Sequence, residues 1–382
     1  MPRLPRHRRT SALRSSALLA ALALLAGACE KGGCGTPGGD STLTTPLPTA
    51  ASAKTAPAAS ADIADASTDA IATGTSGAEA GAGSDAGGDD PMALHLETKE
   101  ALLALFALPP SKQRDASREL FIEKNVGPGS ASRVNQGNKL IAKHVIGKAA
   151  CLAGLAGVTL QTEEQRATCG GMENMVPVWK KGKQPKTCID IFEFPNKPCE
   201  LPVVWTAPIQ AKELCAMEGK RLCRQEEWML ACRGDPEGGK DWSFAYGDEQ
   251  DFSICNTNRP AATWSPECDG DSASSAFKTC GTNTEPSGAF PRCRSRFGVF
   301  DLHGNVAEIM TRLDADGHVY SQLKGSAFFY VDVAREPDEP QKPGRETYPD
   351  QCSYDPRWHV EPMEEAWHVN YHLGFRCCKT VR

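Results

Sequence analysis

The stretch Gly219-Lys-Arg-Leu-Cys-Arg-Gln-Glu-Glu-Trp-Met-Leu-Ala-Cys-Arg-Gly234 decides how this chain is read. Its second half, from Gln225 to Cys232, places Trp228 and Leu230 in a short run that predicts a helix, and glycines bound the stretch on both sides. Upstream, Ala207 to Met217 predicts another helix, with Ile209, Leu214 and Met217 as its apolar positions. Downstream, Gly317 to Phe329 reads as one arm of a hairpin, with Asp314-Ala-Asp-Gly317 as its turn. Throughout residues 169–382, Gly, Pro, Trp and Cys interrupt the chain every few residues, so the elements are short and the loops long. That texture predicts an irregular α+β domain, low in regular structure and rich in disulfides.

Before it comes a smaller helical region, residues 94–168. Leu96, Leu102, Leu103, Leu105 and Phe106 predict one amphipathic helix, stopped by Pro109-Pro110. Leu120, Phe121 and Ile122 close a second. A third is expected from Ser132 through Leu140, Ile141, Val145 and Ile146 to Cys151. The candidate catalytic side chain of this preface is His144, and no metal-ligand cluster is expected in it.

Residues 29–93 are a different material. From Glu30 to about Pro91 the composition collapses to Ala, Gly, Ser, Thr, Asp and Pro with no aromatic residue, too little apolar surface to offset chain entropy. Such a coil reaches roughly 40–50 Å and is expected to act as a linker. Ahead of it, Arg3, Arg6, Arg8, Arg9 and Arg14 form a basic leader, and Ala17 to Ala26 an apolar run. That run is shorter than the ~20 residues a bilayer needs, so residues 1–28 read as a cleaved signal peptide. Gly27-Ala28-Cys29 is a small-residue cleavage site ending on cysteine, the bacterial lipoprotein pattern, and Cys29 is the expected lipidated residue. The expected location is the non-cytoplasmic side of the cell envelope, inner or outer membrane, with the lipid as the membrane contact.

An oxidising compartment makes the 16 cysteines legible. With Cys29 and Cys34 set aside, up to seven bridges are available; no pair stands at C-x2-C spacing, which speaks against zinc. The net charge of -6 is mild and no Lys/Arg block follows the leader, so nucleic acid is not an expected partner.

Several segments in order resemble the formylglycine-generating enzyme (sulfatase-modifying factor) family. Cys188-Ile-Asp-Ile-Phe-Glu-Phe-Pro-Asn196 is similar to the family's entry strand, and Val204-Trp205 follows it. The opening stretch, from Gly219-Lys-Arg-Leu through Glu226-Glu-Trp228 to Arg233-Gly234, resembles its "G-K-R-L-P-T-E-A-E-W" signature. Ala245-Tyr-Gly247 with Cys255-Asn256, Glu285-Pro-Ser-Gly-Ala-Phe-Pro291, Phe297 to Glu308, Lys324-Gly-Ser326 and Leu373-Gly-Phe-Arg376 resemble the later motifs. The resemblance covers residues 186–382 and implies a variant C-type-lectin-like α+β fold. The family oxidises a sulfatase cysteine to formylglycine with oxygen and a copper ion on two thiolates. Phe329 stands where the first of those cysteines is expected, and the next cysteine is Cys352, beyond an insertion rich in Glu, Asp and Pro. Copper is therefore not an expected cofactor.

The same resemblance implies the bridges Cys215–Cys377 and Cys232–Cys352. Cys223 and Cys378 are extra: they pair as a third staple, or form a displaced redox or copper site. Asn305 and Glu308 match one family calcium site and Asn256 a second, and hard oxygen donors on loops suit that ion. Asp269-Gly-Asp271 reads as a turn. His368 and His372 stand four apart in what the family has as a loop, which removes the meaning of that spacing. The expectation is a non-catalytic, calcium-stabilised module that binds protein, peptide or glycan, with Trp358 and Trp367 as candidate contacts. The alternative is an enzyme, a formylglycine-generating oxidase.

Overall fold

A computed structural model describes residues 89–257, 268, 272–329, 351–356 and 359–381. Cys29, the leader, most of the linker, Asp269, Asp271 and Trp358 lie outside the described residues.

Side-chain caps set the boundaries of the preface helices. Thr98 Oγ1 accepts the Ala101 N–H at 3.1 Å and starts α1 (Lys99–Leu105). Asp115 does the same for α2 (Ala116–Asn125) through the Arg118 N–H at 2.9 Å. The third predicted helix is found only as its last turns, α3 (Lys148–Gly154). The stretch before it is irregular because its backbone finds other partners. Asn135 Oδ1 takes the Gly137 N–H, Gly137 has φ +93°, and the Lys143, Val145 and Ile146 N–H groups are taken by Asn283 and Glu285. Then α4 (Glu163–Thr168) begins with a Thr162–Gln165 capping box.

The preface buries two histidines, His95 and His144, each 6% exposed. Burial, then the neighbouring His144, pushes His95 down to about 4. Its folded value lies below its ordinary ~6.5, so the folded state resists protonation and stability falls as pH drops from about 6.5 to about 4. That window is worth about 3 kcal/mol. Urea midpoints at pH 7.5 and 4.5 should differ less in His95→Gln than in the parent; an equal acid loss in both would refute this contribution.

The α+β domain is built on two small sheets. The first holds β1 (Met175–Val178), β2 (Thr187–Asp190), β3 (Arg221–Leu222) and β7 (Cys377–Thr380), in the order β1-β2-β7-β3, with every neighbour antiparallel. The second has the order β5-β4-β6. Here β4 (Ala307–Leu313) pairs antiparallel with β5 (Val319–Lys324) and parallel with β6 (Leu373–Phe375). The expected hairpin is thus β4–β5, its turn at Asp314 to His318. Arg376 is the one residue between β6 and β7, so the chain passes from one sheet to the other there.

Helix α5 (Pro208–Met217) opens on a proline, and Gln210 Oε1 takes the Ala207 N–H at 2.9 Å. Its apolar face, with Leu214 and Cys215, joins Phe194, Val203, Trp205, Phe328 and Phe375 in one core. Helix α6 (Gln225–Arg233) starts where Glu227 reaches back to the Arg224 N–H at 2.9 Å, and packs Trp228 and Ala231 against Ile189, Phe192 and Phe300 in the other. Helix α7 (Ala273–Thr279) places Phe277 against Trp205.

All fourteen described cysteines are bonded in seven disulfides. Three are Cys215–Cys377, Cys223–Cys378 and Cys232–Cys352; the others are Cys151–Cys199, Cys169–Cys188, Cys255–Cys293 and Cys268–Cys280. Cys151–Cys199 ties the preface to the domain. Adjacent Cys377 and Cys378 point to opposite faces of β7, as strand alternation requires, and so reach α5 and the residue after β3 respectively.

Candidate functional site

Where the chain passes directly from β6 to β7, the joint between the two sheets is filled by a charged network. Arg376 is fully buried. Its Nε and Nη2 donate to the two oxygens of Glu308, each at 2.6 Å, and its remaining N–H groups donate to the carbonyls of Asp190, Ile191 and Phe300 at 3.0–3.2 Å. Trp228 Nε1 donates to Glu308 Oε2 at 3.0 Å, completing that carboxylate. Beside it, Glu193 accepts from Val306 N (3.1 Å), Ser287 Oγ (3.1 Å) and Asn305 Nδ2 (2.7 Å). Asp301 accepts the Gly288 N–H at 2.6 Å. Burial pushes Asp301 up to about 7. Burial, and after it the charges of Asp301 and Glu308, raise Glu193 well above the usual carboxylate range. One arginine thus serves three buried carboxylates.

Along the next edge runs an aromatic wall. Phe329, 2% exposed, lies 5.9 Å from the Tyr371 ring, 5.1 Å from His372 and 5.4 Å from Phe328. Trp205 extends the wall toward Phe277 at 5.3 Å and sits at φ +56°, a costly conformation for a bulky side chain. His372 is therefore a wall residue, and His368 stacks on His359 at 4.1 Å, so the two histidines spaced by four have different surroundings. Cys232, His303 and Cys352 converge within 4.8 Å. The sulfurs are bonded to each other, and His303 Nε2 takes the Ala245 N–H at 2.8 Å, so the trio is a packed staple. Nothing in the chain's spacing marked His303, which meets the sulfurs only through the fold.

A model of the sulfatase-modifying factor enzyme 1-like domain matches residues 158–381. The chain belongs to that family. Two similar curated proteins are the inactive C-alpha-formylglycine-generating enzymes 2 of Bos taurus and Mus musculus. Each is 36% identical over 110 residues, which is 28% of this chain and 32% and 31% of theirs. The matched segment thus spans about a third of the length of those relatives. The crystal structure of CarF aligns at a TM-score of 0.31 with 14% identity, over 48% of this chain and 69% of that one, a likeness that carries no argument.

Within the sulfatase-modifying factor fold, Phe329 and its aromatic neighbours occupy the place where the first copper cysteine was expected. Cys223 and Cys378, the alternative pair, are joined to each other on the far side of β7 from Cys377. The calcium expectation divides. Asn305 and Glu308 do not fit it: the oxygens of Glu308 are held by Arg376 and Trp228. Asn305 Oδ1 takes the Glu285 N–H at 2.7 Å and Asn256 Nδ2 at 3.0 Å. Asn256 fits better. Its Oδ1 is buried without a hydrogen-bond partner among the described residues, as is Thr257 Oγ1 next to it, and hard oxygens left so are what Ca²⁺ takes.

A groove of about 670 Å³ lies between α5, β3 and the hairpin, away from the aromatic wall. Leu222, Val319, Tyr320 and Met363 give it apolar surface. Arg221 is occupied by Glu227, at 2.6 and 2.8 Å. Lys212 and Arg224 also line the groove, form no ion pair among the described residues, and face Glu364 and Glu365. Trp367 is 58% exposed.

Proposed function

We propose that the protein is a non-catalytic binding member of its family, exported, lipid-anchored through Cys29, and displaying its domain from the cell envelope on the linker. The observation that carries the reading is Phe329, packed into the aromatic wall where a copper thiolate is required, in a domain whose described cysteines are all in disulfides. Cu(I) chemistry on this fold needs two accessible thiolates, and a disulfide supplies none. That the two curated relatives are named inactive supports the same reading.

The ligand is a protein, peptide or glycan. The groove by the hairpin suits it, since Tyr320 and Met363 offer contact area while Lys212 and Arg224 bring positive charge. Trp367 is a second exposed aromatic anchor. A calcium ion on Asn256 would stabilise the loop that carries it.

Three assays on the full chain test this. Incorporation of a palmitate analogue is expected in the parent and absent in Cys29→Ser. Copper-loaded protein given a cysteine peptide is expected to consume no oxygen, and copper-dependent turnover would sink the proposal. Retention on immobilised envelope peptides and polysaccharides is expected to fall roughly tenfold or more in Tyr320→Ala. Unchanged retention would remove the groove from the reading.

A further inference from the structure

The preface holds an arrangement with no part in the reading above. His95 follows the short 3-10 turn Pro91–Leu94, and His144 lies in the irregular stretch that runs beside residues 283–285. Far apart in sequence, their rings meet with centroids 5.4 Å apart and planes tilted by 39°. Both are almost fully buried. We propose that His95 and His144 together bind one divalent transition-metal ion of the zinc class.

The first argument is the tautomer. His144 Nδ1 sits on the carbonyl oxygen of Thr284, and an oxygen acceptor there requires that Nδ1 carry the hydrogen. The lone pair is then on Nε2. This is the way metal-binding imidazoles are oriented: one nitrogen donates to a carbonyl and the other faces the ion. The Gln136 backbone lies next to the His95 ring and acts on it in the direction an acceptor would.

The second argument is an unmet bond. His95 Nε2 is buried and has no hydrogen-bond partner among the described residues. A buried polar nitrogen left in that state costs about 1–3 kcal/mol unless something is bound to it. Because burial and His144 keep the ring neutral at physiological pH, the nitrogen offers a lone pair and no proton. A lone-pair donor of this kind takes a cation or a water hydrogen.

The third argument is distance. With Zn–N bonds of about 2.0–2.1 Å, two imidazoles on one tetrahedral ion have centroids about 5 Å apart. The observed 5.4 Å is close to that, and imidazole is a ligand for zinc, nickel and copper(II) alike. At the edge of the site Lys139 and Glu97 pair with each other. Water would fill the remaining coordination positions.

The test uses full-length protein and zinc chloride alone, titrated in competition with a chromophoric chelator. One ion per chain is expected, with affinity reduced at least tenfold in both His95→Gln and His144→Gln. His318→Gln must leave it unchanged, because Asp314, Asp316 and His318 form a separate exposed trio at the hairpin turn. Loss of binding in His318→Gln alone, or no binding by the parent, overturns the proposal. Should a preface variant fail to fold, zinc-soaked crystals of the parent decide the matter. An anomalous peak between the His95 and His144 rings is expected, and its absence in protein that has taken up zinc refutes the site.

Discussion

Replacing Arg376 by Met is expected to destabilise the domain by about 3–5 kcal/mol, enough to unfold much of it at 37 °C. The magnitude follows from what the change leaves behind. Glu308 would keep a buried carboxylate with only the Trp228 N–H to serve it, and the carbonyls of Asp190, Ile191 and Phe300 would lose the guanidinium donors, Ile191 keeping the Phe300 N–H. Methionine fills much of the volume, so packing is a minor part of the effect. Arg376→Lys is expected to recover little, since one ammonium cannot reproduce two parallel bonds to Glu308 and three to carbonyls. Glu308→Gln should cost less than Arg376→Met, because the amide still accepts one of the bonds. Urea unfolding of the three variants measures this order. A loss below ~1 kcal/mol in Arg376→Met would mean that the joint between the sheets is held by other contacts.

The second large effect belongs to β7. The double change Cys377→Ala with Cys378→Ala removes the bridges to Cys215 and Cys223, which close loops of 162 and 155 residues in sequence separation. Loop-closure entropy assigns each about 4–5 kcal/mol, while measured values for native bridges run about 2–5 kcal/mol. The two loops cover nearly the same chain, so the effects do not add: once one bridge closes the loop, the second restrains little further. The single changes Cys215→Ala/Cys377→Ala and Cys223→Ala/Cys378→Ala should therefore each cost far less than half of the double loss. Thermal unfolding of all three reads this directly, and additive losses would refute the account of a shared loop.

The parts of the fold legible in the sequence were those fixed by local signals. Ile209, Leu214 and Met217 predict α5 from Ala207, within a residue of its observed start, and Asp314 to Gly317 places the hairpin turn. Glycine and carboxamide chemistry hid the rest: the apolar positions from Leu140 to Ile146 suggest a helix. The N–H groups of Lys143, Val145 and Ile146 instead go to Asn283 and Glu285, acceptors some 140 residues away that no local window contains. The candidate site divides in the same way. Phe329 in place of a thiol is readable once the resemblance to the family says where a thiol is expected. Asn305 and Glu308 read as ion ligands because the resemblance sets them at a family calcium site, yet Arg376, at the other end of the domain, occupies Glu308 first. His95 gave no signal at all, since one histidine beside a leucine has no meaning until the fold sets His144 against it.

Counting free thiols bears most directly on the claim that the domain is non-catalytic. Protein made in an oxidising compartment would be denatured without reductant, alkylated and mapped by mass spectrometry. The account requires no alkylated cysteine among the fourteen from Cys151 to Cys378, all in seven bridges. Two free thiols at Cys223 and Cys378 would supply a soft ligand pair for copper and contradict it.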